Sequence, residues 1–193
     1  MTVVTGTMLP LDRADVDTDQ IMPKQFLKRI QRTGFGEFVF FDWRQDPDFV
    51  LNDPAHAGAT VLVAGQNFGS GSSREHAPWG LQQFGFEAVI APSFADIFRS
   101  NCAKIGLLCV DLDAKVVQAL IELAQSQPDT QCVIDLPLQN VAAGDIDQDF
   151  DFDAHTKHML VGGLDQIGLT MAREDAIADF EQSRPAFMPV TTA

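Results

Sequence analysis

The residues best suited to chemistry lie together in one run, Asn67-Phe68-Gly69-Ser70-Gly71-Ser72-Ser73-Arg74-Glu75-His76-Ala77. Gly69 and Gly71 carry no side chain, so the backbone there can approach a ligand closely. Ser72 and Glu75 have the spacing of a capping box, which predicts a helix from Ser73 to Phe84 stopped at Gly85. Backbone N–H groups and the dipole at such a start favour an anion. Arg74 adds a planar fork whose geometry matches a carboxylate. A flexible turn before a capped helix would show the same Ser-x-x-Glu pattern. The glycines, serines and arginine taken together favour an anion site over that plain turn. Pro78 conflicts with a helix from Ser73, because a proline in the helix interior removes one backbone hydrogen bond. Either the first turn is irregular or the helix opens later. Other phosphate and nucleophile loops fit worse. There is no Gly-Lys-Ser/Thr, Arg74 stands where a dinucleotide loop needs its third glycine, and G-x-S-x-G is missing.

The elements around this run decide where it sits. Residues 3–11 read as a first strand, and 25–32 as a short helix stopped by Gly34 and Gly36. Residues 34–56 are irregular and rich in Phe, Trp and Asp-Pro, the pattern of a long, partly mobile loop. A regular alternation follows: strands at 59–64, 87–91 and 107–110, helices at 73–84, 94–104 and 114–125. Apolar strands alternating with helices predict an α/β core with a mostly parallel sheet. Ligands bind such sheets beyond the carboxyl ends of the strands, which is where residues 67–77 fall. Residues 131–136 and 148–153 alternate like half-exposed strands, predicting an added β layer. Residues 163–180 read as short helices.

Composition narrows the partners. The chain has 193 residues, consistent with a single domain, and a formal net charge of −14. That charge repels nucleic acid and anionic lipid, which excludes both as expected partners. No apolar run reaches the ~20 residues of a membrane span, and residues 1–8 lack a signal peptide's features, so a cytoplasmic protein is expected. The three cysteines, Cys102, Cys109 and Cys132, lack metal-ligand spacing, and Cys109 and Cys132 lie in apolar runs.

At several separate places the chain resembles the swivelling domain of the aconitase superfamily, and within it the bacterial 3-isopropylmalate dehydratase small subunits. The resemblance rests on NFGSGSSREHA at 67–77, APSFADIF at 91–98 and DTDQIMP at 17–23. Phe26-Leu27-Lys28, Thr33-Gly34-Phe35-Gly36, Asp42-Trp43-Arg44, the segment 163–170 and Pro185-Ala186-Phe187-Met188 add to it. The resemblance implies a β/β/α swivelling fold over the whole chain, with a mobile loop around residues 24–55. It also implies an isomerisation of 2-isopropylmalate to 3-isopropylmalate, through isopropylmaleate, by removing and re-adding water in leucine biosynthesis. A [4Fe-4S] cluster is then expected on a separate large subunit, binding the substrate hydroxyl as a Lewis acid, with no cofactor or metal held by this chain. By position, Ser72 corresponds to the catalytic base and Arg74 to the partner of a substrate carboxylate. Ser73, Asp17, Thr18, Asp19, Gly69 and Gly71 are expected around the small dicarboxylate. Leu27 and Lys28, with Phe26 and Arg29, occupy the specificity loop, where Leu27 could touch the isopropyl group. Two alternatives stay open: the small subunit of a related hydro-lyase acting on homoaconitate or citraconate, and a dicarboxylate-binding module without catalysis.

Other residues favour structural readings. Asp147, Asp149, Asp151 and Asp153 alternate with Phe150 and Phe152 as a strand would, and lack the glycine and glutamate of a calcium loop. His155 and His158 lack a third metal ligand. His76 either orients Glu75 or packs, Trp79 and Phe84 are read as packing, and Arg99 faces either the pocket or the partner.

Overall fold

The structure, a computed structural model, describes residues 2–28, 32–164, 166–171, 173–185 and 187. One sheet organises them. Its strands are β1 (Val3–Leu11), β2 (Val61–Ala64), β3 (Ala88–Ala91), β4 (Leu108–Asp111), β5 (Gln131–Asp135), β6 (Asn140–Ala143) and β7 (Ile146–Asp149), in the order β4-β3-β2-β1-β5-β6-β7. The long first strand is the hinge of the design. Its second half, Met8 to Leu11, pairs parallel with Val61 to Ala64 of β2. Its first half, Val3 to Thr7, pairs antiparallel with β5. The expected parallel core and added antiparallel strands are therefore continuous through β1.

Side-chain alternation along the strands builds two cores. Leu9, Leu11, Leu62, Ala64, Val89 and Ala91 face one way, against Phe68, Leu81, Phe98 and Cys102. Met8, Val61, Val63, Ala88, Ile90 and Val110 face the other, against Val117, Leu120, Ile121 and Ala124 of α4 (Ala114–Ser126). Every residue of β2 and β3 is fully buried, as central parallel strands require.

The remaining helices are α1 (Thr18–Ile21), α2 (His76–Phe84), α3 (Asp96–Ile105), α5 (Ala154–Gly162), α6 (Gln166–Met171) and α7 (Glu174–Ser183). Gly106 ends α3 in the left-handed conformation, φ 80°. Helix α5 lies beyond the elements expected from sequence. Its start explains Asp153, whose carboxylate accepts the Thr156 N–H at 2.8 Å as the helix cap. That contact holds the Asp153 carboxyl below its usual range. Asp147 and Asp149 accept from the Asn140 amide at 2.7 and 3.0 Å, so the aspartate series is strand and cap. Among the described residues, no three His, Cys, Asp or Glu side chains converge as a metal group. No helix among them is long and apolar enough to cross a membrane.

The segment between α1 and β2 is more built than its irregular composition indicates. It forms single 3-10 turns at Lys24–Lys28, Gly36–Phe38, Trp43–Gln45, Val50–Asn52 and Pro54–His56. Phe35, Val39 and Phe40 are fully buried in the first core. Phe40 stacks on Trp43 at 5.3 Å, and Phe26 on Phe38 at 4.0 Å. The 3-10 turn at Lys24–Lys28 stands in place of the expected helix over 25–32, and Arg29 lies outside the described residues.

Candidate active site

Strands β1 and β2 run parallel, so the turns leaving them emerge at the same sheet edge. The chain after β1 and the chain after β2 lie side by side there. Gly65 N–H donates to the Arg13 carbonyl at 3.0 Å and Asp15 N–H to the Gln66 carbonyl at 2.9 Å. Gly69 N–H donates to the Val16 carbonyl at 2.8 Å, and Thr18 N–H to the Ser70 carbonyl at 2.8 Å. An isolated parallel bridge joins Asp17 to Ser70, and a second joins Phe68 to Phe94. The start of the signature run is thus pinned to both neighbouring segments by backbone hydrogen bonds and isolated bridges.

The local helix chemistry differs from the expected Ser72–Glu75 capping box. Helix α2 opens at His76, and its first flanking residue, Glu75, makes no side-chain cap. Pro78 becomes the third residue of the helix, where an N–H would have no intrahelical acceptor, so the proline costs nothing there. The true capping box belongs to α1. Asp17 Oδ1 accepts the Gln20 N–H at 2.8 Å, while Gln20 Oε1 accepts the Asp17 N–H at 2.9 Å. Ser72 accordingly sits in the loop and not at a helix start.

What surrounds Ser72 comes from α1. The Thr18 hydroxyl lies 3.0 Å from the Ser72 hydroxyl and accepts the Ser72 N–H at 3.1 Å. Asp19, the next residue, holds the Arg74 guanidinium through Oδ1 and the Lys24 ammonium through Oδ2 at 3.2 Å. Ser73 is exposed, and its carbonyl accepts from the side chain of Asn101 at 3.1 Å. Asn101 is a buried polar residue on α3, and its Oδ1 accepts from Lys104 at 3.1 Å. Ser72, Ser73, Arg74, Asp17, Thr18 and Asp19 are thereby gathered at one edge.

Four expected site residues remain to be placed: Gly69, Gly71, Leu27 and Lys28. A Cβ on Gly69 would stand 2.1 Å from the Phe98 ring, so this glycine makes room for the core at φ 77°. Its bareness is demanded by packing against Phe98. Gly71, at φ 94°, faces Asp17 and Thr18 and shapes the loop. Leu27 packs half-buried on the first core, while Lys28 is exposed at the end of its 3-10 turn.

Two contributors were not foreseen. Lys24 adds a second cation at Asp19, and nothing in its local sequence signals that pairing. Asn101 had a signal: it falls three residues after Phe98 and beside Cys102, on the apolar face of α3. A polar residue on a buried face must have partners.

His76 packs edge-on against Phe35 at 5.2 Å and lies 4.9 Å from Trp79. Burial first, and then the Arg74 charge, push its pKa below 6.5, against an opposing pull from Glu75. The ring packs among aromatics and holds a proton less readily than a free imidazole. Arg99 donates to Asp111 at 2.6 Å and lines a cavity of about 410 Å³ with Lys104, Phe152 and Met159. That cavity lies between α3 and α5, and Ser72 is not among the residues that line it. All three cysteines are buried, Cys102 and Cys109 in one core and Cys132 in the other. Burial pushes the Cys132 thiol up to about 12 and Cys102 well above its ordinary value.

The family model described as the aconitase C-terminal domain matches residues 1–115. The model of the C-terminal domain of the 3-isopropylmalate dehydratase small subunit matches residues 167–191. The 3-isopropylmalate dehydratase small subunit of Rubrobacter xylanophilus is 53% identical over 186 residues, covering 96% of this chain and 95% of that one. That of Acidothermus cellulolyticus is 52% identical over 192 residues, covering 100% and 98%. Among solved structures, 3-isopropylmalate dehydratase of Methanocaldococcus jannaschii matches with a TM-score of 0.65 at 25% identity, over 92% of this chain and 98% of that one.

Proposed function

The chain belongs to the family of 3-isopropylmalate dehydratase small subunits, and we propose that it supplies half of that hydro-lyase's active site. The reaction interconverts 2-isopropylmalate and 3-isopropylmalate in leucine biosynthesis, by dehydration to isopropylmaleate and rehydration. The observation that carries the reading is the meeting of Thr18 and Asp19 with Ser72 and Arg74, brought together from 54 and 55 positions apart.

On this reading Ser72 Oγ, as its alkoxide, takes the proton from the substrate carbon. The C–H bond breaks, an O–H bond forms on Ser72, and the electron pair becomes the new double bond as the hydroxyl departs. Arg74 orients a substrate carboxylate through the N–H groups that Asp19 leaves unused. Ser73 is exposed next to it and supports the same carboxylate. Asp17 fixes α1, and so fixes Thr18 and Asp19 toward the loop. Leu27 and Lys28 lie on the specificity segment, Leu27 toward the isopropyl group. Any closure of that segment leaves Phe35, Val39 and Phe40 anchored in the core.

The rest of the site comes from a large subunit. The chemistry it brings is a [4Fe-4S] cluster that binds the departing hydroxyl as a Lewis acid. Ser72 lies at an open edge outside the lining of the Arg99 cavity, which suits a site shared between chains.

Reconstitution tests the reading. The chain is mixed with a cluster-loaded large subunit, and isopropylmaleate is followed by its absorbance, with citraconate as the competing diacid. Turnover of isopropylmaleate only in the mixture is expected. Turnover by this chain alone would overturn the split site, and preference for citraconate would move the activity to a related hydro-lyase.

A further inference from the structure

We propose that Thr18 is the positioning residue that makes Ser72 basic, by donating its one hydroxyl proton to Ser72 Oγ. The inference rests on the reading of Ser72 as the base and supplies what that reading lacks. A serine hydroxyl is a poor base unless its alkoxide is stabilised. Because α2 opens only at His76, the helix start that sequence placed around Ser72 is not there to do it.

Hydrogen-bond bookkeeping sets the direction of the contact. A threonine hydroxyl has one proton and two lone pairs. Thr18 Oγ1 already accepts the Ser72 N–H at 3.1 Å, which occupies a lone pair and leaves the proton to be placed. The Ser72 carbonyl lies 3.5 Å away, beyond ordinary O–H···O distance. Ser72 Oγ lies at 3.0 Å, at the outer edge of that range, and receives the proton. Thr18 is 2% exposed, so bulk water does not compete for it.

The donor is also fixed in place before charge appears. Thr18 N–H is bonded to the Ser70 carbonyl at 2.8 Å, and the Asp17–Gln20 box locks the turn beneath it. A donor preset toward developing charge stabilises it without reorganisation. With Thr18 donating, the proton of Ser72 itself is the one lost, passing to solvent water at this half-buried loop before the substrate binds. The Ser72 alkoxide then keeps the Thr18 bond, and keeps it again once the substrate proton has arrived. Thr18 therefore acts through Ser72 and does not serve as a substrate ligand, the role first expected of it.

The test compares Thr18→Val and Thr18→Ser in the reconstituted complex with the large subunit. Valine keeps the shape and removes the hydroxyl, whereas serine keeps the hydroxyl. For T18V, kcat is expected to fall about 10²- to 10³-fold with KM nearly unchanged, as on losing one oxyanion donor. Its kcat/KM profile should also shift so that full activity needs a higher pH, since that profile reports the free enzyme's base. T18S is expected to recover most of the loss and the original profile. If the unsubstituted complex is active and T18V keeps its kcat and pH profile, the Thr18 assignment is overturned while the functional reading stands. Equal losses in T18V and T18S would also overturn it, because the methyl group and not the hydroxyl would be responsible. An unsubstituted complex inactive on isopropylmaleate overturns the reading, and the Thr18 role with it.

Discussion

Asp19 holds Arg74 through one carboxylate oxygen and Lys24 through the other. The cationic fork of the site is thus pre-aimed by a residue of α1, 55 positions upstream. In a chain of net charge −14, a local cation must work against the overall field, and Arg74 with Lys24 is where it does so. Replacing Arg74 by lysine keeps the charge and loses the planar fork. Arg74→Lys is expected to raise KM for the diacid about 10- to 100-fold, the equivalent of one charged hydrogen bond. Steady-state kinetics of the complex measures this, and an unchanged KM would place the substrate carboxylate elsewhere.

Asn101 anchors the loop from the other side, through the Ser73 carbonyl. Asn101→Ala takes the side-chain donor from the Ser73 carbonyl and leaves Lys104 with Glu75 at 4.0 Å, a loss of about 0.5–1.5 kcal/mol for a part-buried hydrogen bond. Denaturant unfolding of the isolated chain should show that loss, and kcat of the complex should fall because Ser73 neighbours Ser72. Full stability and activity in N101A would show that the loop holds itself.

Gly69→Ala tests whether this glycine serves packing. The new Cβ would strike the Phe98 ring and sit at a positive φ, so the chain should lose about 1–3 kcal/mol to overpacking, with backbone strain in addition. Adding Phe98→Leu makes room and should recover only the packing part. Recovery of nothing would mean that the backbone conformation alone demands glycine.

His76 gives stability a pH dependence of defined sign. Its folded pKa is depressed by burial and by Arg74, so the unfolded chain binds the proton more readily. The penalty is absent above the ordinary value of 6.5, grows as pH falls below it, and is complete below the folded pKa. The buried Nδ1 has no hydrogen-bond partner among the described residues, so only the weaker attraction of Glu75 offsets the burial of a protonated ring. Melting temperature should drop between neutral pH and pH 5 and drop less in His76→Gln. Equal slopes for both would assign the acid sensitivity to other groups.

Local pattern carried much of this architecture. Strand β1 matches its predicted bounds, and α4, stopped before Pro128, extends one residue beyond its own. Where pattern misled, a non-local contact or a backbone rule had decided. Ser72-x-x-Glu75 imitates a capping box, yet Pro78 without its N–H is best placed in the first turn, so the helix opens at His76. Ser72 instead bonds to Thr18, a partnership that no local spacing reveals. The stretch around Phe35 to Phe49 looked irregular because its aromatic residues follow neither strand nor helix period, although they fill a core. The β6–β7 hairpin turns at Gly144-Asp145, and Asp153 belongs to the cap of α5 and not to a strand. Asp165, Ala186 and Met188 of the late motifs lie outside the described residues.

The central claim is that Ser72 is the base. It is tested most directly by kcat of the reconstituted complex carrying Ser72→Ala, with saturating isopropylmalate and the appearance of isopropylmaleate as the signal. The account predicts a fall of about 10²- to 10⁴-fold, the range expected for a lost general base, with assembly onto the large subunit unchanged. Undiminished turnover by an assembled S72A complex would contradict it.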